Sequence, residues 1–215
     1  MSGPVAAADI PVFGGGGSFS VGGVTSIKEA RFQNVIKQQY DFSCGSAALA
    51  TLLTYHYEMP VTEDVVFTEM YQVGDQEKIK KEGFSLLDMK KFLSSRAYEA
   101  DGFQTPLDKL IQVGVPAIVL INTNGYRHFV VVKGVTDDEV LVGDPALGTK
   151  TYKRAEFEGI WNGILFVIKQ NVDTARNYFN KDDDWAVRQK APFGTALNRS
   201  TLAATTIMLP QIGDF

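Results

Sequence analysis

The chain has 215 residues, a length that suits one domain with a sizeable buried core. Its net charge of -4 argues against nucleic acid as a partner, because phosphate binding needs a concentrated basic face. Hydrophobic residues make up 45% of the chain, as in ordinary soluble globular proteins. No apolar run approaches the roughly 20 residues that a membrane helix needs, so we expect a globular protein without a membrane span.

Three segments of the chain differ in composition. Residues 1–30 are rich in Gly, Ala, Ser and Pro and predict a flexible lead-in. Residues 31–170 carry the periodic apolar patterns and are predicted to form the folded domain. Residues 171–215 mix an acidic run with isolated aromatic residues and predict an irregular C-terminal extension. The N-terminus shows neither the basic start nor the apolar core of a signal peptide.

Helix signals fill the first half of the folded domain. Residues 43–57 are apolar on nearly every side and rich in alanine, with Ser43 as the capping residue, which is typical of a central buried helix. A second helix is predicted over residues 62–70, and the S-x-x-D pattern at Ser85 predicts a third. Between these two, residues 74–82 show no apolar period and are predicted to form a polar loop.

Strand signals fill the second half. Runs of β-branched and apolar residues alternate with turn signals made of Gly, Asn, Asp and Pro. Helices first and an antiparallel sheet second is an α+β pattern, so we expect N-terminal helices packed on a C-terminal antiparallel sheet. The predicted strands cover residues 116–122, 128–135, 139–143, 150–153 and 163–169, with short helices at 105–114 and 155–161.

Cys44 is the single cysteine, which excludes a disulfide within the chain and a zinc site of several thiolates. It lies in the first turn of the predicted buried helix, where free N–H groups and the helix dipole favour a thiolate. Gly45 is expected to leave room beside the sulfur for a substrate carbonyl. Gln38, six residues upstream, and the Cys44 N–H can donate to an oxyanion. The alternative for Cys44 is a buried, inert thiol.

The chain has two histidines, so any base that is a histidine is His56 or His128. His128 lies where a turn enters a strand, which holds an imidazole rigidly and leaves it accessible, as general-base catalysis requires. His56 lies near the far end of the helix that starts at Cys44, roughly 18 Å away at 1.5 Å per residue, and is interpreted as a packing histidine. The alternative for His128 is a surface histidine at a turn.

Asp144 ends the strand that follows the histidine strand. If the two strands form a hairpin, Asp144 lies beside His128 and can fix its tautomer and stabilise the imidazolium. The alternative is an ordinary Asp-Pro turn with Pro145. A chain order of Cys, His and Asp, with the cysteine on a helix and the others on a sheet, is typical of papain-like cysteine peptidases.

At these residues the chain resembles peptidase family C39. The motifs that carry the resemblance are Gln38, the segments 41–45 (DFSCG) and 128–131 (HFVV), and the Asp-Pro pair at 144–145; residues 83–87 (GFSLL) also match. The resemblance covers residues 33–170. It implies a papain-like fold and a cysteine endopeptidase that works through an acyl-enzyme. Cys44 would be the nucleophile, His128 the base, Asp144 the partner of the base and Gln38 part of the oxyanion hole.

Within that family, the chain is similar to the stand-alone C39-like proteases of the functional-amyloid (Fap) secretion system. This similarity implies a periplasmic protein whose signal peptide is missing here. Its partners would be a secreted or periplasmic protein or peptide substrate and components of the amyloid system, with no cofactor or metal. The exporter-fused members carry membrane spans and an ATPase, which this chain lacks, so their specificity for double glycine carries over poorly. Two other functions stay open: a non-cleaving adaptor for secretion substrates and a cell-wall amidase.

Overall fold

The computed structural model describes residues 8–11, 18–21 and 27–186. Strands β1 (Ala8–Pro11) and β2 (Ser18–Val21) form an antiparallel pair, and helix α1 spans Ile27–Arg31. The segment predicted as a flexible lead-in therefore contains some regular structure, and its other residues lie outside the described ones. The predicted C-terminal extension is described as far as residue 186.

Six strands among residues 27–186 form one antiparallel sheet in the order β3-β8-β4-β5-β6-β7. The long central pair β4–β5 and its neighbour β6 are buried, and the α+β architecture expected from the sequence is confirmed. The strands are β3 (Ala100–Gln104), β4 (Ala117–Thr123), β5 (Tyr126–Val135), β6 (Glu139–Asp144), β7 (Gly148–Lys153) and β8 (Ile164–Ile168).

The helices precede, interrupt and follow the sheet strands along the chain. Within residues 27–186, none of them combines the length and the apolar character needed to cross a bilayer. Their bounds are α2 (Cys44–His56), α3 (Glu63–Val73), α4 (Gln76–Glu82), α5 (Leu86–Ser95), α6 (Asp108–Val113), α7 (Arg154–Ile160), α8 (Val172–Arg176) and α9 (Asp182–Ala186).

Helix α2 is the centre of the fold. It packs against strands β4, β5 and β6 on one side and against helices α3 and α5 on the other. Its alanines, Ala47, Ala48 and Ala50, are fully buried, so small side chains allow neighbouring backbones to approach closely. Leu49 and Leu52 fill the remaining space, and burial of each leucine stabilises the fold by about 1.5–3 kcal/mol. The prediction of a central buried helix is confirmed.

Two elements of the predicted folded domain differ from the sequence predictions, and the extension predicted to be irregular contains helices α8 and α9. Helix α4 occupies the region predicted to be a polar loop; the side chain of Asp75 caps it by accepting from the Lys78 N–H, and Ile79 is its one buried residue. The Asp75 cap and the burial of Ile79 therefore stabilise a helix that has no periodic apolar face. Strand β3 was not predicted, because it is a short sheet-edge strand containing Gly102 and few β-branched residues.

The predicted hairpin between β5 and β6 is present and contains a β-bulge. The register shifts between Val132 and Gly134, so the backbone around Lys133 leaves the regular ladder. Asn180 satisfies this irregular backbone: its Nδ2 and Oδ1 bond the Val135 carbonyl and N–H at 3.1 and 2.8 Å, and its own N–H donates to the Lys133 carbonyl at 2.9 Å. The segment after β8 thus packs on the strand that begins near His128.

A buried ion pair fastens the same segment to the sheet. Lys133 is fully buried, and its Nζ lies 2.8 Å from Oδ1 of Asp184 in α9. Asn34 donates from Nδ2 to the same carboxylate oxygen at 2.9 Å. Part of the acidic run that predicted an irregular tail is therefore a buried partner for a core lysine, a pairing that lies 51 residues apart in the sequence.

Asp184→Ala should lower the free energy of unfolding by about 3–5 kcal/mol, because the Lys133 ammonium would stay buried without its partner. Urea denaturation followed by tryptophan fluorescence measures the change. Asp183→Asn is the matched control, since Asp183 is an exposed carboxylate in the same helix and its loss should cost less than about 0.5 kcal/mol. Equal unfolding midpoints for the two variants would contradict the assigned role of the ion pair.

Candidate active site

Cys44 is the first residue of α2 and is 7% exposed. Its side chain borders a cleft of about 670 Å³. Phe42 and Phe84 line this cleft on the helical side, and Phe129 and Leu120 line it on the sheet side. The thiol is therefore partly shielded and still opens onto a space large enough for a peptide segment.

Ser43 occupies the N-cap position of α2 but makes no side-chain capping hydrogen bond. Its hydroxyl oxygen accepts from the Tyr40 N–H at 3.1 Å and lies 2.5 Å from Oε1 of Glu63. The prediction that Ser43 caps the helix through its hydroxyl is wrong, because a buried carboxyl group competes for that hydroxyl. As a result, the Ser43 side chain does not bond the first backbone N–H groups of α2, which lie beside Cys44.

His128 and Asp144 form a buried hydrogen bond across the β5–β6 hairpin. His128 Nε2 and Asp144 Oδ1 are 2.8 Å apart, and the two residues are 4% and 2% exposed. The same oxygen accepts from the N–H groups of Ala146 and Leu147 at 2.8 and 3.2 Å. Asp144 therefore stabilises the Asp-Pro turn and also binds the imidazole, so both roles considered for this residue are present.

The protonation of this pair is set by burial and by close charges. Burial lowers the pKa of His128, but hydrogen bonds and charge interactions with Asp144 and Cys44 outweigh that effect and raise the pKa to about 9. Burial raises the pKa of Asp144, and the bond to His128 with the two turn N–H groups brings the net pKa below its usual value. The imidazolium form is thus favoured, with Nε2 on Asp144. Nδ1 is buried without a well-aligned hydrogen-bond partner among the described residues, and Cys44 is the second group that raises the pKa of the ring.

Tyr126 covers the imidazole and was not singled out from the sequence. Its ring stacks on that of His128, with centroids 5.6 Å apart and planes at 26°. The Tyr126 hydroxyl donates to the Asp41 carbonyl at 3.5 Å, so the side chain reaches from the hairpin toward the loop before α2. Residues two apart in a strand lie on the same face of the sheet. Tyr126 precedes His128 by two residues, so the sequence could have indicated that the two rings are neighbours.

Gln38 lies in the loop that leads to Cys44. Its backbone N–H donates to the Pro145 carbonyl at 3.0 Å, which ties the loop to the turn after Asp144. Its side-chain Nε2 donates to the Tyr40 carbonyl at 3.0 Å, and this accounts for one of the two N–H groups on that nitrogen. The structure thus places Gln38 beside the turn that holds the His128–Asp144 pair.

Gly45 does not create space for a substrate, contrary to the sequence-based expectation. A Cβ atom built on Gly45 would lie 3.0 Å from Met89 Cε and 3.0 Å from Phe84 Cβ, which are core side chains. The glycine therefore lets α2 approach these side chains closely. Room for a substrate carbonyl comes instead from the cleft beside Cys44.

His56 is a packing residue, as the sequence indicated. It lies in the last turn of α2, is 1% exposed and meets the Tyr178 ring edge-on at 6.3 Å. Burial, together with the positive charge of Lys133, lowers the pKa of His56 to about 3. The imidazole is therefore neutral at all ordinary pH values.

Charged side chains surround the mouth of the cleft. Lys78 and Lys81 of α4 and Arg127 near the start of β5 are exposed and border it, together with the acidic Asp41 and Glu82. Both lysines are solvent-exposed. Their position beside the cleft follows from α4, which was not predicted.

NMR titration of the imidazole resonances should show one midpoint near pH 9 and no other transition between about pH 5 and 8. The midpoint near 9 belongs to His128, while burial keeps His56 neutral throughout. Because the folded-state pKa of His128 lies above 6.5, stability from its charge is complete below about pH 6.5 and declines as the pH rises through about 9.

Asp144→Asn should lower the His128 midpoint, since the amide no longer stabilises the imidazolium by charge. Asp137→Asn, at an exposed carboxylate in the turn of the same hairpin, is the control and should leave the midpoint unchanged. A wild-type midpoint at or below 6.5 would contradict the assigned pairing.

Comparisons with known proteins agree with this geometry. Residues 33–173 match the model of the Peptidase C39 family. The chain is 45% identical over 159 residues to the probable functional amyloid protease FapD of Pseudomonas aeruginosa, a match that covers 74% of this chain and 70% of that protein. The protein of the same name from Pseudomonas fluorescens is 43% identical over 153 residues, covering 71% and 68% of the two chains.

Among solved structures, a double glycine motif protease from an AMS/PCAT transporter, in complex with the leader peptide, is 30% identical. Its TM-score is 0.52, and the match covers 62% of this chain and 89% of that one. The family match spans well over half of the chain, and the strands and helices described above lie within it for the most part. The chain therefore belongs to the peptidase C39 family and is a cysteine peptidase with an α+β, papain-like fold.

Proposed function

We propose that the protein is an endopeptidase in which Cys44 is the nucleophile, His128 the general base and acid, and Asp144 the partner that orients His128. The observation that carries this proposal is the His128 imidazole, held through Nε2 by a buried carboxylate while its interaction with Cys44 raises its pKa. A thiolate and an imidazolium at the start of a buried helix are the reactive pair of cysteine peptidases.

The reaction proceeds in two halves. Cys44 Sγ attacks the peptide carbonyl carbon, and the proton on His128 Nδ1 passes to the leaving amine nitrogen as the C–N bond breaks. This step leaves a thioester on Cys44 and a neutral imidazole. His128 then takes a proton from water, the hydroxide attacks the thioester, and the acid product leaves while the thiolate and the imidazolium return.

Both acylation and hydrolysis of the thioester pass through an oxyanion, which needs hydrogen-bond donors. The Cys44 N–H lies at the start of α2, where the cap side chain is bound elsewhere, and the second N–H of Gln38 Nε2 is the side-chain donor. Tyr126 shields one face of the imidazole from water, which strengthens the bond between His128 and Asp144. Together these groups support acyl transfer.

The substrate we propose is an extended or glycine-rich segment of a secreted or periplasmic protein, cleaved during functional-amyloid biogenesis or leader processing. Two relatives are named as probable functional amyloid proteases, and a structural neighbour was solved with a leader peptide. The cleft beside Cys44 has a volume of about 670 Å³, and aromatic and charged side chains line it. A protease with this function would act in the periplasm.

Cys44→Ala should abolish cleavage, and Gln38→Ala should lower kcat by about 10²–10³-fold with little change in KM, because Gln38 acts only on the oxyanion. Digestion of extended, glycine-rich peptides and unfolded secreted proteins, followed by mass spectrometry, measures both effects. Gln39→Ala is the matched control, since that neighbouring side chain is exposed and bonds Asp64.

Other outcomes of this digestion identify the alternative functions. A non-cleaving adaptor would bind the same peptides in the wild-type and Cys44→Ala forms without cutting either. A cell-wall amidase would release products from peptidoglycan stem peptides and none from proteins. Cleavage that persists in the Cys44→Ala variant would contradict the proposed nucleophile.

A further inference from the structure

Glu63 is a buried carboxyl group behind the loop that joins Gln38 to Cys44, and the mechanism above does not use it. It is 4% exposed and is the first residue of α3, on a different helix from Cys44. Its hydrogen-bond partners in the structure all belong to the Gln38–Cys44 loop or to the first turn of α2.

The contacts of Glu63 fall on residues that flank the two proposed oxyanion donors. Oε2 accepts from the backbone N–H of Gln39, the residue after Gln38, at 3.1 Å. Oε1 accepts from the hydroxyl of Ser43, the residue before Cys44, at 2.5 Å. The Ser46 hydroxyl, one turn along, lies 3.4 Å from the same oxygen. One rigid carboxyl group thus spans both ends of the loop.

A second set of bonds closes this network onto Gln38 itself. The Tyr40 N–H donates to the Ser43 hydroxyl oxygen at 3.1 Å, and the Tyr40 carbonyl accepts from Gln38 Nε2 at 3.0 Å. Since Glu63 fixes Ser43, it also fixes Tyr40, and Tyr40 sets the direction of the Gln38 amide. The position of the side-chain donor therefore depends on Glu63 through two intermediate residues.

Glu63 is also the buried carboxyl group that lacks a cationic partner. Asp144 bonds His128 and Asp184 bonds Lys133, whereas no ion pair involves Glu63 among the described residues. Burial raises its pKa, with hydrogen bonds from Ser43 and Gln39 acting in the opposite direction. Burying such a group costs free energy that an apolar side chain would not. Its distinctive property is that it presents two acceptor oxygens in fixed directions to one loop.

We propose that Glu63 is a positioning residue that holds the Gln38 amide and the Cys44 N–H in the geometry of the oxyanion hole. The inference rests on the proposed function, because it assumes that Cys44 is acylated and that these two groups stabilise the oxyanion. Loss of the carboxyl group frees the Gln39 N–H and the Ser43 hydroxyl, and the loop relaxes. A shift of about 1 Å in a catalytic group costs on the order of 10²-fold in rate.

Two reactions of Cys44 separate positioning of the oxyanion hole from general damage. Alkylation by iodoacetamide displaces iodide at a saturated carbon and forms no oxyanion. Acylation by p-nitrophenyl acetate passes through a tetrahedral oxyanion and releases nitrophenolate. The chain has a single cysteine, so both reactions report on Cys44 once the rate of the Cys44→Ala variant is subtracted.

Glu63→Ala should slow acylation by about 10-fold to 100-fold while alkylation stays within about threefold of the wild-type rate. Glu63→Gln, which keeps the shape of the side chain but replaces one acceptor by a donor, should give an intermediate loss. Asp64→Asn is the matched control, because Asp64 is the adjacent exposed carboxylate and bonds the Gln39 side chain. It should leave both rates unchanged.

A double variant tests the route of the effect. Since Glu63 acts in part through Gln38, the loss of acylation in Gln38→Ala with Glu63→Ala should be clearly smaller than the product of the two single losses. Independent, multiplying losses would overturn the proposed route, and so would equal losses of acylation and alkylation in both Glu63 variants. A wild-type protein that shows no Cys44-dependent acylation would instead refute the proposed function. Wild-type acylation that the Glu63 variants leave unchanged would refute only the role of Glu63.

Discussion

The packing of helix α2 against the central strands is the constraint on which the site depends. The helix is buried from its first residue through Leu53, and it lies against β4, β5 and β6. Its first turn therefore has a fixed position relative to the β5–β6 hairpin, whose own pairing holds His128 beside Asp144. Two rigid elements place three side chains. The loop before Cys44 has no regular structure, and side-chain hydrogen bonds to a neighbouring helix order it instead.

The residues of the proposed catalytic centre could be predicted from the sequence because each lies at or near the end of a predicted helix or strand. Cys44 begins α2, His128 lies near the start of β5 and Asp144 closes β6, so the hairpin between these strands brings the last two residues together. The order of helices and strands was also predictable, since buried helices and buried strands have different apolar periods. What remained a prediction is the chemical role of each side chain.

Other features depend on contacts between distant segments, which local patterns do not encode. Glu63 is buried and accepts hydrogen bonds from Gln39, Ser43 and Ser46. The Ser43 hydroxyl therefore bonds this carboxyl group and does not cap the helix. Gly45 is a glycine because Phe84 and Met89 meet α2 at that point. Lone charged or small residues of this kind look like surface or cap positions in a sequence, and tertiary packing gives them another role.

The two outer strands of the sheet, β3 and β7, have a further consequence for how the protein associates. An open edge can pair with another extended chain and start aggregation. Strand β7 carries Lys150 and Lys153 and packs beside α1, and Asp101 in β3 forms an ion pair with Lys169. Charges at both margins and a helix beside one of them disfavour the addition of a seventh strand from another chain.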